Sequence, residues 1–249
     1  CRALTLMTEH SGVVRPKAIV IGAGGGLGHA VIAELMSTER YTVHAVSRKP
    51  VNALVDRSWE CDYEDDSIAR IAQAISAEPG SLSRLIICNG VLHGESFRPE
   101  RSIKHLNRHS MLHVLETNTV VPMLWLAAFT TAIKNADELR IAVFSARVGS
   151  LTDNGLGGWC SYRASKAALN MSLKCAAIEY ARLNKNTKLI AFHPGTTDTA
   201  MSKPFQKGVP EGKLFEPSFV AHRLITLLDA IASDGELTYI DWDGKTIPW

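Results

Sequence analysis

The sequence is short of cysteine, of net charge and of long apolar runs, and each shortage closes off a class of protein. Five cysteines (Cys1, Cys61, Cys88, Cys160, Cys175) lie scattered along 249 residues, odd in number and with no C-x-x-C pair. That pattern offers no disulfide framework and no thiolate metal cluster, and it fits a reducing, cytoplasmic compartment. His93, His105, His109 and His113 come at mixed spacing with no acidic companion, so they read as surface or packing histidines and no metal is expected. The formal net charge is only +2, so neither nucleic acid nor a membrane surface is expected as a partner. The longest apolar run, residues 120–133, contains Pro122 and several threonines. It falls short of the ~20 residues that cross a bilayer and reads as a buried helix. No secretory signal is expected ahead of the first strand. Residues 1–15, with Met7 as a natural start, are expected to be an extension without assigned structure.

No linker, repeat or low-complexity stretch breaks the rest. Short apolar runs predict strands at 17–21, 41–46, 59–62, 85–88, 140–144, 188–192 and 237–240. Between them, helical spacing predicts helices at 27–36, 67–75, 111–133, 161–183 and 217–232. Strand and helix alternate throughout. The expectation is one α/β domain over residues 16–249, a doubly wound, Rossmann-like parallel sheet with helices on both faces. Ligands of such sheets sit at the carboxyl ends of strands. The segments at Gly22, Gly90, Ser145 and Pro194 all follow strands and are placed to line one crevice.

The first strand runs into Gly22-Ala23-Gly24-Gly25-Gly26-Leu27-Gly28. No register gives G-x-G-x-x-G, but G-x-x-x-G-x-G fits Gly22, Gly26 and Gly28. Glycines at such spacing let the backbone approach a pyrophosphate resting on the next helix N-terminus. The alternative is a glycine-rich turn with no ligand. No Walker lysine-serine follows, which argues against a nucleoside triphosphatase. At the end of the second strand the acid that would bind a ribose diol is missing. Ser47-Arg48-Lys49 stands there instead, and Arg48 suits a 2′-phosphate, favouring NADP over NAD. The alternative is a pair of solvated loop charges.

Further on, Tyr162 and Lys166 stand four residues apart on a predicted helix, hence on one face. An ammonium beside a phenol favours the phenolate and so lowers the phenol pKa, toward proton transfer near neutral pH. Alone, the spacing also fits an ordinary surface pair.

Together these residues resemble the short-chain dehydrogenase/reductase family over nearly the whole chain from about Lys17. The resemblance rests on Gly22-x-x-x-Gly26-Leu27-Gly28, Asp62 after the third strand, Cys88-Asn89-Gly90, Asn118, Tyr162-x-x-x-Lys166 and Pro194-Gly195-Thr196-Thr197-Asp198-Thr199. Finer texture, such as Arg147-Val148-Gly149-Ser150 and His193-Pro194-Gly195, resembles the branch of C-factor and sniffer-like carbonyl reductases.

The resemblance implies an NADP-dependent oxidoreductase that interconverts a carbonyl and an alcohol. It implies Tyr162 as general acid, Lys166 as its partner and ribose ligand, and Asn118 in a proton relay. It implies a cofactor site at Gly22, Gly24, Gly26, Leu27, Gly28, Ser47, Arg48, Asp62, Asn89, Gly90, Tyr162, Lys166, Pro194, Gly195, Thr197 and Thr199. The family's catalytic serine does not match, because Ala146 fills its slot. Ser145 is the expected substitute, with Ser150 or water as alternatives. The partner implied is a small carbonyl or alcohol substrate, in a homo-oligomer, dimer or tetramer. A lid is expected over residues 199–212, and Trp159, Phe205 and Trp249 are candidates for an apolar pocket. Cys160 is placed either toward the cleft or in the core. A second reading is a C-factor-like signalling protein that binds NAD(P) with little or no turnover.

Overall fold

The computed structural model describes residues 14–51 and 53–249. In chain order these form β1 (Lys17–Ile21), α1 (Gly26–Ser37), β2 (Thr42–Ser47), β3 (Arg57–Glu60), α2 (Asp65–Ala77) and β4 (Leu82–Ile87). Then come α3 (Arg108–Leu115), α4 (Val121–Ala128), α5 (Thr130–Lys134), β5 (Leu139–Phe144) and α6 (Cys160–Leu183). The chain ends in β6 (Thr187–His193), β7 (Thr196–Thr197), β8 (Leu214–Phe215), α7 (Pro217–Ala230) and β9 (Leu237–Asp241). The expected extension lies outside the described residues up to residue 13, whereas Arg15 is ion-paired with Asp56 at 3.0 Å.

Seven strands make one sheet in the order β3-β2-β1-β4-β5-β6-β9, every pair parallel. Successive side chains of a strand face opposite sides, and β1 shows it. Ile19 and Ile21 enter a core shared with α2, α4 and α6, while Ala18 and Val20 enter one shared with α1 and α7. Helices thus cover both faces, which is why the central strands read as unbroken apolar runs. Strand order reverses between β1 and β4, and in doubly wound sheets ligands bind outside the carboxyl ends of the strands at such a point.

Two departures from the sequence expectation have local causes. β4 starts at Leu82 rather than Leu85, because Arg84 is buried in it against Asp229 at 2.8 Å. The long helix expected over 111–133 is broken. Residues Glu116–Val120 make a π turn between α3 and α4, and Phe129 interrupts again before α5. Turns of this type widen the helix and turn side chains off its regular stripe. The residue so displaced is Asn118.

Candidate active site

The loop after β1 turns at Gly22, whose φ of +78° favours glycine. Both Gly22 and Ala23 donate N–H to Val46 O at 3.0 Å, pinning the loop against β2. A methyl group at Gly28 would lie 2.5 Å from Gly22 O, so only glycine lets α1 approach its own entry loop. The N-terminus of α1 has no side-chain cap and no acid in its first turn, leaving its N–H groups and positive end for an anion.

The other predicted segments converge here. A methyl at Gly24 would lie 3.5 Å from Ser47 Cβ, one at Gly22 2.9 Å from Asn89 N, and one at Gly26 3.1 Å from Thr199 Cγ2. Asn89 carries a buried Oδ1 with no partner among the described residues. Open glycine backbone, an uncapped helix end and an orphaned amide oxygen fit a bound dinucleotide. Leu27 is partly buried and packs its side chain against the α1–α7 core. Ser47 donates to Lys49 O and shapes the turn, leaving Arg48 exposed. Asp62 is exposed and accepts from Glu64 N at 3.1 Å as it opens the turn into α2. Thr197 is buried, and Ser202 Oγ donates to its carbonyl at 2.6 Å. Pro194 and Gly195 lead from β6 into the short β7, which pairs with β8 and brackets the segment between them.

Asn118 is fully buried. Its Oδ1 accepts from Val91 N at 2.7 Å, and its Nδ2 donates to Val91 O at 2.9 Å and Ser165 Oγ at 3.0 Å. Ser165 donates in turn to Tyr162 O at 2.8 Å. Asn118 therefore ties the loop after β4 to the helix that carries Tyr162. Lys166 Nζ donates to Phe144 O at 2.7 Å and lies 5.9 Å from the centroid of the Tyr162 ring. A methyl at Gly90 would lie within 3.8 Å of Lys166 Nζ, Asn118 Oδ1 and Met201 Cε alike.

The electrostatics correct one expectation. Burial pushes the Tyr162 phenol up to about 12, with Tyr239 adding to the rise, and pushes the Lys166 ammonium down to about 7. Desolvation sets the direction, and no attraction from Lys166 enters to favour phenolate. At neutral pH the phenol keeps its proton, which is the form that donates.

Ser145 also takes an unexpected role. Its hydroxyl is buried and donates to Asn170 Oδ1 at 2.6 Å, so its one proton points at α6. The expected substitute for the missing serine is therefore amended to a residue that would have to break this bond to reach a substrate. Ser150 accepts from Asp153 N at 3.0 Å and shapes its own loop.

Trp159 and Phe205 meet at 5.1 Å between centroids, Phe205 meets His93 at 5.6 Å, and Trp159 meets Tyr162 at 6.3 Å. His93 Nε2 also reaches Met201 O at 3.1 Å. The 199–212 segment so folds against the loop after β4. Trp249 does not join them and packs on Tyr239 at 5.1 Å. Cys160 lines a separate cavity of about 310 Å³ with Val148, Arg163 and Ala167.

Tyr63 was not foreseen. It has a left-handed φ of +72°, and its hydroxyl lies against the Asn89 side chain and the Gly22 backbone, within the field of Arg48. Its only sequence signal is its place beside Asp62.

The short chain dehydrogenase family profile matches residues 16–210, and the chain belongs to that family. Its relatives include a benzil reductase ((S)-benzoin forming) of Bacillus cereus, 25% identical over 90% of this chain and 98% of that protein. The C-signal protein of Myxococcus xanthus is 28% identical over 56% of this chain and 78% of that protein. Among solved structures, the NADPH-bound carbonyl reductase from chicken fatty liver superposes with a TM-score of 0.79. It is 22% identical and covers 95% of this chain and 100% of that one, a likeness of fold. No helix among the described residues is long and apolar enough to cross a membrane.

Proposed function

We propose that this protein is an NADP-dependent carbonyl reductase that interconverts a small or medium aldehyde or ketone with its alcohol. The observation that carries the reading is the gathering of Lys166 and Asn118 around Gly90, with the Tyr162 ring centroid 5.9 Å from Lys166 Nζ. The benzil reductase relative and the NADPH-bound neighbour of the same fold support it.

The glycine loop, the N-terminus of α1, Asn89 and Thr199 would hold the dinucleotide, with Arg48 on its 2′-phosphate and Asp62 toward its base. Bound there, the cofactor supplies or accepts the hydride. Tyr162 holds the carbonyl oxygen by its hydroxyl and gives up its proton as that oxygen gains charge. Lys166 stabilises the resulting phenolate and reaches the ribose. Asn118 keeps the loop after β4 locked beside Lys166. Polarisation of the carbonyl falls chiefly to Tyr162, since Ala146 offers no hydroxyl and Ser145 is engaged with Asn170. The same reading includes a homo-oligomer, supported by the exposed apolar Leu112, Val120, Met171 and Ile178.

The test is NADPH oxidation across a panel of aldehydes, ketones and diketones, with Tyr162→Phe beside the native protein. Loss of the proton donor should cost at least about 10²-fold in kcat while NADPH binding stays unchanged. A native protein that binds NADPH and turns over none of the panel would favour the signalling reading, to which Ala146 and the C-signal relationship lend support.

A further inference from the structure

The helix that carries Tyr162 begins without a cap of its own. Its N-cap residue, Trp159, makes no side-chain hydrogen bond to the first turn. Gly157, Gly158 and Trp159 run in succession through left-handed backbone, at φ of +64°, +65° and +51°. For a residue with a Cβ that conformation is unfavourable, and it persists where surrounding contacts over-determine it. Tyr162 is the third residue of α6, inside the turn that frays when uncapped.

What holds this turn comes from 61 residues away. Glu100, on the loop between β4 and α3, is buried, with 6% exposure. Its Oε2 accepts from Ser161 N at 3.2 Å, and its Oε1 accepts from the Ser161 hydroxyl. Its own carbonyl accepts from Trp159 N at 2.6 Å. Glu100 thus grips both sides of Cys160. Among the described residues no ion pair reaches it. A buried carboxylate without a cation is costly unless donors compensate it, and the N–H groups and positive end of α6 do so here.

Resting on the reading of Tyr162 as proton donor, we propose that Glu100 is a positioning residue for it: a carboxylate carried in from the loop after β4 that replaces the missing cap of α6. Glu100 acts through Ser161. It also fixes Trp159, whose ring borders Tyr162 and Phe205. Small misplacements of a reacting group cost rate more than they cost binding.

The experiment compares Glu100→Gln, Glu100→Ala and Ser161→Ala with the native protein. It measures kcat per NADPH-binding site, the NADPH dissociation constant, and amide hydrogen exchange across 159–163. Counting binding sites removes any loss due only to unfolded protein. Glu100→Ala should lower kcat per site by about tenfold or more, since positioning errors act on the chemical step. NADPH affinity should stay unchanged, and faster exchange should be confined to the first turn of α6. Glu100→Gln, which keeps one acceptor oxygen, should recover part of the rate. If Glu100→Ala does not fold, Ser161→Ala, which deletes only the hydroxyl bond, should still lower kcat per site measurably. Unchanged kcat per site in the folded variants overturns the proposal. A native protein that reduces no carbonyl sinks the activity reading itself, whereas an active native protein with rate-neutral Glu100 variants sinks only the positioning role.

Discussion

Ser145 donates its hydroxyl proton to Asn170 Oδ1 across 2.6 Å, joining the end of β5 to the middle of α6. Beside them, the Tyr239 hydroxyl donates to Ala146 O at 2.6 Å, so the strand end where a catalytic serine was expected is held from behind by two buried polar bonds. Ser145 there is a strut. Ser145→Ala should leave Asn170 Oδ1 buried and unpaired, at a cost of roughly 1–3 kcal/mol in stability. Thermal or urea unfolding measures that loss. The rate should fall by no more than about threefold, because an oxyanion donor would be worth ~2.7–4 kcal/mol and the Ser145 proton is engaged with Asn170. A hundredfold loss of kcat in a variant that unfolds like the native protein would restore Ser145 as the carbonyl donor.

The sheet, the glycine loop and the Tyr162–Lys166 pair were legible because each is local. Glycine spacing, apolar runs and a four-residue helical interval all lie within one element. What escaped lies in pairs far apart in the chain. Arg84 hid the start of β4 because its charge is answered by Asp229, 145 residues on. The π turn at Asn118 was invisible because apolar residues continue on both sides of it at helical intervals. Ser145 looked free because Asn170 is reached only through the fold. Glu100 sits in sequence between Arg98 and Arg101, where it reads as one more surface charge, yet the fold buries it at the head of α6. The raised Tyr162 phenol belongs to the same class, since spacing shows a neighbouring lysine but not the burial that raises the phenol.

Cofactor choice is expected to turn on Arg48. Ser47 is buried and spends its hydroxyl on Lys49 O, so it supports the turn and cannot serve the cofactor unless that bond opens. Arg48 is exposed beside it, with Tyr63 close enough to feel its charge. NADP should bind more tightly than NAD, as read by quenching of intrinsic fluorescence. Arg48→Ala should weaken NADP by about 1.5–3 kcal/mol, the range for a hydrogen bond to a charged group, and leave NAD nearly unchanged. Equal affinity of the native protein for both would remove Arg48 from the cofactor site.

Lys166 should make cofactor binding consume a proton. Burial holds its ammonium down to about 7 from the ordinary 10.5, so above neutral pH the cofactor-free protein carries mostly the neutral amine. An anionic dinucleotide placed beside it favours the charged form and raises that pKa in the complex. The sign follows. Between the lowered pKa and the higher one of the complex, the complex holds more protons than the free protein, so affinity falls as pH rises through and above about 7. Calorimetric titrations at pH 8 in two buffers of different ionisation enthalpy should show net proton uptake approaching one per site. The second ionisation of the 2′-phosphate, near pH ~6, lies below this window and does not mimic it. Lys166→Met should abolish the uptake and flatten the pH dependence of the dissociation constant. Proton release on binding, or uptake that survives Lys166→Met, would show that Lys166 is already charged in the free protein or lies out of reach of the cofactor.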